Sequence, residues 1–344
     1  MFFFIFLPNE FDAGTQQAGG KAERKKRKDF KRGSEFSFEV SELKELEGVE
    51  IEDTFAEAFP IKVARVLITA VNEKWALETA REATGFGTSV IMCPVEAGIE
   101  RTASPEETPD GRPGVFVLFF ATSYKTLEEQ LLARLGQCVL TAPTAAAFNA
   151  LSGEESEKTF NTGFKLKFFG DGFEKVGELY GRKVSIIPIM GGEFIVEQNF
   201  GAKEGVAGGN FFILAENMAS ALLAAENAVA EIEKVDGVIT PFPGGIVSSG
   251  SKPGSLKYKF MHATTNHKFC PTLKGVVEDS EIPDGVNAVL EIVINGLSED
   301  AVKEAMRKGI KAAVKVKGVK KITAGNYGGT LGKYHLKLHE ILGL

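Results

Sequence analysis

The hydrophobic and polar positions beyond residue 48 follow two periods that alternate along the chain. Short apolar runs typical of strands are separated by longer segments whose apolar residues recur every three or four positions, as on one face of a helix. In the first half, helices are predicted after Asn72 and at a capping box formed by Thr126 and Glu129. Both are predicted to end at a glycine, Gly85 and Gly136. The strands predicted around them lie at 63–70, 89–93, 115–121 and 138–141.

The second half repeats this order of elements. Helices are predicted after Asn217 and after Ser298, each with a continuous apolar stripe. The strands predicted around them lie at 210–215, 238–240, 258–264, 289–295 and 321–323. Between the halves, apolar runs joined by glycine-rich turns predict a meander of strands at 164–169, 183–187 and 193–196.

Each half therefore contains two consecutive β-α-β units, which is the pattern of a ferredoxin-like, split β-α-β lobe. We expect an α+β fold of two duplicated ferredoxin-like lobes with antiparallel sheets. The first lobe and the meander span residues 47–200, and the second lobe spans residues 201–344. Because the helices cover one face of each sheet, the other face needs a partner, and this predicts an oligomer.

One predicted strand carries a charge among apolar residues. Glu291 lies in the middle of Val289–Asn295, flanked by Leu290 and Ile292. Such a carboxylate either reaches solvent from a half-covered sheet or is buried, in which case its charged form is costly and its pKa rises. The second alternative makes Glu291 a candidate proton donor and acceptor.

Composition and charge narrow the class of protein. Residues 1–34 contain eight Lys or Arg and four acidic residues, whereas the rest of the chain contains 32 basic and 42 acidic residues. Residues 1–46 are therefore predicted to be a disordered basic leader, and the acidic body makes nucleic acid an unfavourable partner. No apolar stretch is long enough to span a membrane. The three cysteines are widely separated, which favours a reduced, cytoplasmic location.

Several common catalytic motifs are missing. The chain has no complete G-x-G-x-x-G, the segment 328–333 is one residue short of a P-loop, and no G-x-S-x-G surrounds Ser248. His335 and His339 could face one way, but no nearby cysteine or acid completes a ligand set, so no metal site is predicted.

Two glycine-rich loops flank the first β-α-β unit of the second half, at 205–210 and 241–246. Glycines let a backbone approach a ligand closely, and their amides suit an oxyanion, although each loop alone is equally consistent with a tight turn. Together with 264–266 and 324–326 they predict a polar cleft. The candidate substrate-binding residues are Gly208, Gly209, Asn210, Phe242, Gly244, Gly245, Thr265, Asn266 and Asn326.

At these residues the chain resembles the archaeal formylmethanofuran:tetrahydromethanopterin formyltransferases, over almost the whole span from Gly48 to His339. Several long sequence blocks carry the resemblance in the same order. They are 48–59, 82–94, 106–114, 168–172, 205–211, 241–247 and 291–297.

The resemblance implies transfer of a formyl group between the amine nitrogen of methanofuran and N5 of tetrahydromethanopterin, without a metal or prosthetic group. Both carriers are then substrates. It also implies a homotetramer built from dimers and a cleft near the subunit interface. The family's proposed catalytic glutamate corresponds to Glu291 by position in the 291–297 block.

The chain departs from the family pattern at residues 1–46 and at Thr122–Tyr124. Two alternatives therefore stay open beside the free-standing transferase. One is the formyltransferase subunit of a formyltransferase/hydrolase complex, and the other is a non-catalytic pterin-binding paralogue. An RNA-binding protein would need exposed aromatic residues interleaved with basic ones, and the acidic body disfavours it.

Overall fold

The computed structural model describes residues 44–344, and two long strands organise this part of the chain. The strands are β1 (Glu45–Leu46), β2 (Val49–Ile51), β3 (Phe55–Thr69), β4 (Glu96–Ala103), β5 (Gly114–Ala121), β6 (Ala146–Asn149), β7 (Lys158–Phe160), β8 (Lys175–Leu179), β9 (Arg182–Ile189), β10 (Gly192–Glu197), β11 (Phe200–Ala215), β12 (Val238–Ile239), β13 (Lys252–Pro253), β14 (Ala263–Thr264), β15 (Ala288–Gly296), β16 (Val319–Thr323) and β17 (Tyr334–Lys337). The helices are α1 (Glu73–Thr84), α2 (Tyr124–Arg134), α3 (Thr162–Leu166), α4 (Met218–Ile232), α5 (Glu299–Ala313) and α6 (Leu338–Leu342).

In the first half, four strands pair in the order β6-β3-β5-β4, and every pairing is antiparallel. The helix α1 begins at Asn72, whose side chain accepts a hydrogen bond from the amide of Trp75. Fully buried Phe119 of β5 packs in one cluster with Leu127 and Leu131 of α2. Burial of this apolar face drives the helices onto one side of the sheet.

The second half has the corresponding order β16-β11-β15-β12, again with antiparallel pairs. Its helices α4 and α5 are capped by the side chains of Asn217 and Ser298, as the sequence predicts. Ile292 and Ile294 of β15 are fully buried in a cluster with Met306 and Ile310 of α5. Side chains alternate along a strand, so the residues between these isoleucines face away from the helices.

The two halves are joined through their first strands. Residues 203–207 of β11 pair antiparallel with residues 59–63 of β3. The expectation of purely antiparallel sheets is wrong, because β6 pairs parallel with β10 and β2 pairs parallel with β16, which makes the joined sheet mixed. The strands β3 and β11, with 15 and 16 residues, extend beyond the four-stranded sheets of their own halves, so other strands pair with them in the same sheet.

Four predicted strands are wrong. Residues 89–93 form a turn before β4. Residues 138–139 end a π-type helical turn after α2 (Leu135–Val139), which also carries that helix past Gly136, and 140–141 form the turn that follows. Residues 164–169 belong to α3 and a following 3-10 turn, and of 258–264 only β14 is extended. The first three of these runs have no neighbouring strand to pair with and the last pairs only with the two-residue β13, and the β-propensity of such runs depends on that context. Likewise α2 begins after Ser123, not at the Thr126 capping box.

The predicted leader, residues 1–46, lies almost wholly outside the described residues. The described part begins with Lys44, and β1 already includes Glu45 and Leu46. No helix between residues 44 and 344 is long and apolar enough to cross a membrane.

Candidate functional site

Glu291 lies at the centre of β15, on the sheet face opposite the helices. On one side it stands opposite Phe212 of β11. On the other side its backbone exchanges two hydrogen bonds with Val247, at 2.8 and 2.9 Å. The position of the carboxyl group is therefore set by a backbone held on both edges.

Burial dominates the electrostatics of this carboxyl group. Glu291 is only 8% exposed. Burial raises the pKa of Glu291 from its ordinary 4.5 to about 8, and no charge or hydrogen bond from the described residues opposes this rise. The carboxyl is therefore mostly protonated at pH 7 and about half ionised near pH 8. A general acid and base needs a pKa in this range.

The same sheet face is covered by the long connection between β14 and β15. Phe269, Ile282 and Val286 of this connection pack with Phe212. The rings of Phe212 and Phe269 meet edge to face, with centroids 4.9 Å apart. This apolar cover accounts for the desolvation of Glu291.

A cavity of about 670 Å³ opens on this side of the molecule. Its walls include Phe269, Tyr327 and the backbone of Gly325. Its charged wall residues are two lysines and two acids, Lys252, Lys268, Glu52 and Glu281. Glu291 is not itself a wall residue. In the sheet, Phe212 lies between Glu291 and the wall residue Thr323. The charge of Glu291 raises the pKa of the Tyr327 hydroxyl, after the larger effect of burial.

The segment that carries Tyr327, residues 325–332, folds around a single carboxylate. Glu57 of β3 is fully buried and accepts hydrogen bonds from the amides of Tyr327 at 2.9 Å, Gly329 at 3.1 Å and Gly332 at 2.6 Å, and from that of Leu331. Burial alone would raise the pKa of Glu57, but these four donors outweigh it and lower the pKa. Glu57 is therefore a buried anion held by backbone dipoles.

The structure brings only some of the predicted substrate-binding residues to this cavity. Asn266 and Asn326 line it. Asn210 lies beside it, where its side chain accepts from the amide of Gly325 at 2.6 Å and donates to the carbonyl of Gly208 at 2.9 Å. Thr265 precedes Asn266 but is not a wall residue.

The glycines at 208 and 209 have structural explanations. The amide of Gly208 donates to the side chain of Asn295 at 3.1 Å. At Gly209 an added Cβ would lie 2.2 Å from Val302, so glycine is required by the close approach of α5. Both sit in a β-bulge of β11. Both glycines therefore shape the strand, and the Gly208 amide is already bonded to Asn295.

Phe242, Gly244 and Gly245 lie elsewhere, in the wall of a second cavity of about 620 Å³. This cavity is bounded by residues 84–88 and 97–100 of the first half and by residues 238–245 of the second. The amide of Gly245 already donates to the carbonyl of Phe242 at 2.8 Å. The predicted single cleft is thus divided between two cavities.

Sequence reasoning missed Glu57, Phe269 and Tyr327. Glu57 and the 325–332 segment are more than 260 positions apart, and no local pattern links them. One signal was available, because Glu57 is the one charged residue of the otherwise apolar run 55–61, as Glu291 is in 289–294. Among residues 44–344, no group of three or more His, Cys, Asp or Glu is arranged to hold a metal ion.

Two family models match the chain in succession. Residues 44–189 match the model described as formylmethanofuran-tetrahydromethanopterin formyltransferase, and residues 192–341 match the model of that enzyme's proximal lobe. The chain belongs to the formylmethanofuran–tetrahydromethanopterin formyltransferase family. As a member of that family it is a formyltransferase.

Relatives within this family are similar along their whole length. The formylmethanofuran–tetrahydromethanopterin formyltransferase of Methanocaldococcus jannaschii is 67% identical over 299 residues, which cover 86% of this chain and 99% of the relative. That of Methanosarcina mazei is 65% identical over 297 residues, with the same coverage.

Solved structures agree in fold. The formyltransferase from Methanosarcina barkeri is 64% identical and superposes with a TM-score of 0.84, covering 87% of this chain and all of that one. A chain of the formyltransferase/hydrolase complex from Methylorubrum extorquens, crystallised with methylofuran, is 43% identical, with a TM-score of 0.82 and coverage of 86% and 98%.

Proposed function

We propose that this formyltransferase moves a formyl group between the amine nitrogen of methanofuran and N5 of tetrahydromethanopterin, with Glu291 as general acid and base. These two one-carbon carriers are the ones that appear in the names of its archaeal relatives. The observation that supports the role of Glu291 is its burial on β15, which raises its pKa to about 8.

The reaction needs two proton movements, and one carboxyl group can supply both. The ionised Glu291 takes the proton from N5 as this nitrogen attacks the formyl carbon, and a C–N bond forms while the carbonyl becomes an oxyanion. The protonated Glu291 then gives the proton to the methanofuran nitrogen as the old C–N bond breaks. The formyl C=O is restored, and Glu291 ends in the ionised form in which it began.

The substrate-binding residues predicted from the sequence are still proposed, but the structure supports some of them more than others. Asn266 and Asn326 line the cavity next to Glu291, while Asn210 supports its wall through Gly325. The walls of this cavity also carry two lysines, Lys252 and Lys268, and two acids, Glu52 and Glu281, so they offer charges of both signs to the polar parts of a carrier. Phe242, Gly244 and Gly245 are proposed to contact a carrier in the second cavity.

The replacement Glu291→Gln tests the proposal because it keeps the shape of the side chain and removes the proton. We expect kcat to fall by roughly 10²–10⁴-fold with little change in KM, since substrate contacts remain. Formyl transfer is followed spectrophotometrically, and circular dichroism confirms the fold. Wild-type turnover in this variant would exclude Glu291 from the chemistry.

We also propose that each half is a ferredoxin-like lobe, at 47–200 with the meander and at 201–344. The strand orders β6-β3-β5-β4 and β16-β11-β15-β12 support this, since both place the first and third strands of a β-α-β-β-α-β unit in the middle. The two matched family models, which meet between residues 189 and 192, are also consistent with it.

The assembly is proposed to be a cytoplasmic homotetramer. Exposed apolar side chains on the described surface support self-association, among them Phe168, Phe169 and Phe173, each more than 60% exposed. Light scattering after size-exclusion chromatography is expected to give four times the protomer mass. A monomer that gains activity only with other subunits would instead favour the alternative of a subunit in a formyltransferase/hydrolase complex, the assembly in which the similar Methylorubrum chain was solved.

A further inference from the structure

The 325–332 segment, hereafter the Gly-rich loop, has an unusual support. It connects β16 to β17 and has no helix or strand of its own. Four of its amides donate to the carboxylate of Glu57, and its Gly325 carbonyl accepts from the amide of Glu57 at 3.1 Å. One residue of β3 therefore fixes both ends of the loop, through its backbone amide at Gly325 and through its carboxylate at Leu331 and Gly332.

At Gly332 the loop lies so close to β3 that only glycine fits. A Cβ added at Gly332 would lie 2.4 Å from the carbonyl oxygen of Ala58. This approach lets the amide of Gly332 reach Glu57 at 2.6 Å. The packing and the carboxylate thus act together to set a single loop position.

The loop presents the Tyr327 hydroxyl to the sheet face that carries Glu291. An added Cβ at Gly325 would lie 3.3 Å from both this hydroxyl and the ring of Phe212, and Phe212 is the cross-strand neighbour of Glu291. The only hydrogen bond of the hydroxyl to a described residue is to the carbonyl of Ser251 at 3.4 Å, beyond the usual range for O–H···O. Its proton is therefore free to be donated to a bound molecule.

We infer that Glu57 is a positioning residue for formyl transfer: it holds the Gly-rich loop so that the Tyr327 hydroxyl donates to the formyl oxygen as that oxygen becomes an oxyanion, and so that water stays away from Glu291. The inference rests on the proposed function for the role of Glu291. A preorganised donor at the developing charge lowers the barrier because no reorientation is needed during the reaction.

Glu57→Gln perturbs this arrangement with little change in volume. The amide NH₂ of glutamine would face two of the loop's N–H donors, so those two hydrogen bonds are lost. We expect kcat to fall by roughly 10²-fold, the loss typical of one oxyanion donor. We also expect the pH midpoint of activity, set by Glu291, to move from about 8 to lower pH as water enters.

Glu197→Gln is the matched control. Glu197 also accepts a backbone N–H, from Asn149 at 2.9 Å, and pairs with Arg182 at 2.6 Å, but it lies on β10 outside both cavities. It is expected to lower the melting temperature with kcat and the pH midpoint unchanged. A Glu57→Gln enzyme that behaves in the same way would reduce Glu57 to a structural residue and overturn the inference.

Tyr327→Phe keeps the test decisive if the Glu57 variant does not fold. It is expected to lower kcat by roughly 10²-fold without changing the melting temperature, and the double variant, if folded, to lose no more kcat than Glu57→Gln alone. Wild-type kcat in Tyr327→Phe would overturn the inference. Glu291→Gln in the same assay separates the two proposals. Full activity of Glu291→Gln would refute the proposed role of Glu291 as general acid and base. An inactive Glu291→Gln together with a fully active Tyr327→Phe would refute only the role inferred for the loop.

Discussion

The stability of the protein should depend on pH through Glu291, and Glu291→Gln isolates this dependence. The carboxyl pKa is raised from 4.5 to about 8 by burial. At about 1.4 kcal/mol for each pKa unit, full ionisation of the folded protein costs roughly 5 kcal/mol of stability. At pH 7 the unfolded chain is ionised while the folded carboxyl is mostly protonated, and the cost is roughly 3 kcal/mol.

The sign follows from the direction of the pKa change. A raised pKa means that the folded state binds the proton more tightly, so the contribution to stability is complete below pH 4.5 and is lost as the pH rises to about 8. Glutamine does not titrate. The free energy of unfolding of Glu291→Gln should therefore increase relative to the wild type by roughly 3 kcal/mol between pH 4 and pH 7, and by roughly 5 kcal/mol by pH 9.

Urea unfolding of both proteins, at one protomer concentration and at unit steps from pH 4 to pH 9, measures this difference. All other titrating groups are shared, so they cancel in the comparison. Two curves that stay parallel across the range would show that Glu291 ionises as an ordinary solvated carboxyl, and the burial argument would be refuted.

Three further variants and one pH profile test the polar contacts around β15, the α5 cap, the Gly-rich loop and the ionisation of Glu291. Asn295→Ala should cost roughly 2–4 kcal/mol in urea unfolding, because Asn295 donates to buried Glu96 at 2.5 Å and accepts from the amide of Gly208, and both would lose their partner; a loss below 0.5 kcal/mol contradicts this. Ser298→Ala should lower stability by about 1 kcal/mol through loss of the α5 cap, with kcat unchanged. Gly332→Ala should lower both the melting temperature and kcat, and normal values would show that the loop is not held against β3. The wild-type kcat/KM should rise with pH and level off above about 8, as ionised Glu291 forms, whereas a plateau reached by pH 6 would exclude it as the base.

The sequence predicts the framework of this fold well because its main signals are local. The caps at Asn72, Asn217 and Ser298 and the strand around Glu291 are all present as expected. The features that the sequence predicts wrongly depend on contacts between residues far apart in the chain. The pairing of β3 with β11, which merges the halves into one mixed sheet, is decided by residues about 140 positions apart.

The candidate site shows the same division. The sequence identifies Glu291 because a charge within an apolar strand is locally anomalous, and the structure buries it as one of the two alternatives requires. The partners of Glu57 could not be predicted, since the four amides that bind its carboxylate lie in a loop whose glycines indicate only a turn. The sequence predicts one cleft because the glycine-rich loops flank the same β-α-β unit and were expected at one edge of its sheet. In the structure, Asn266 and Gly244 line different cavities.

Difference infrared spectroscopy of the wild type against Glu291→Gln shows the protonation state of Glu291 itself, because it reports the carboxyl C=O band of this one residue. We expect a protonated band at pH 6 that disappears with a midpoint near pH 8. A carboxyl already ionised at pH 6, with a midpoint near 4.5, would contradict a desolvated acid and base at this position.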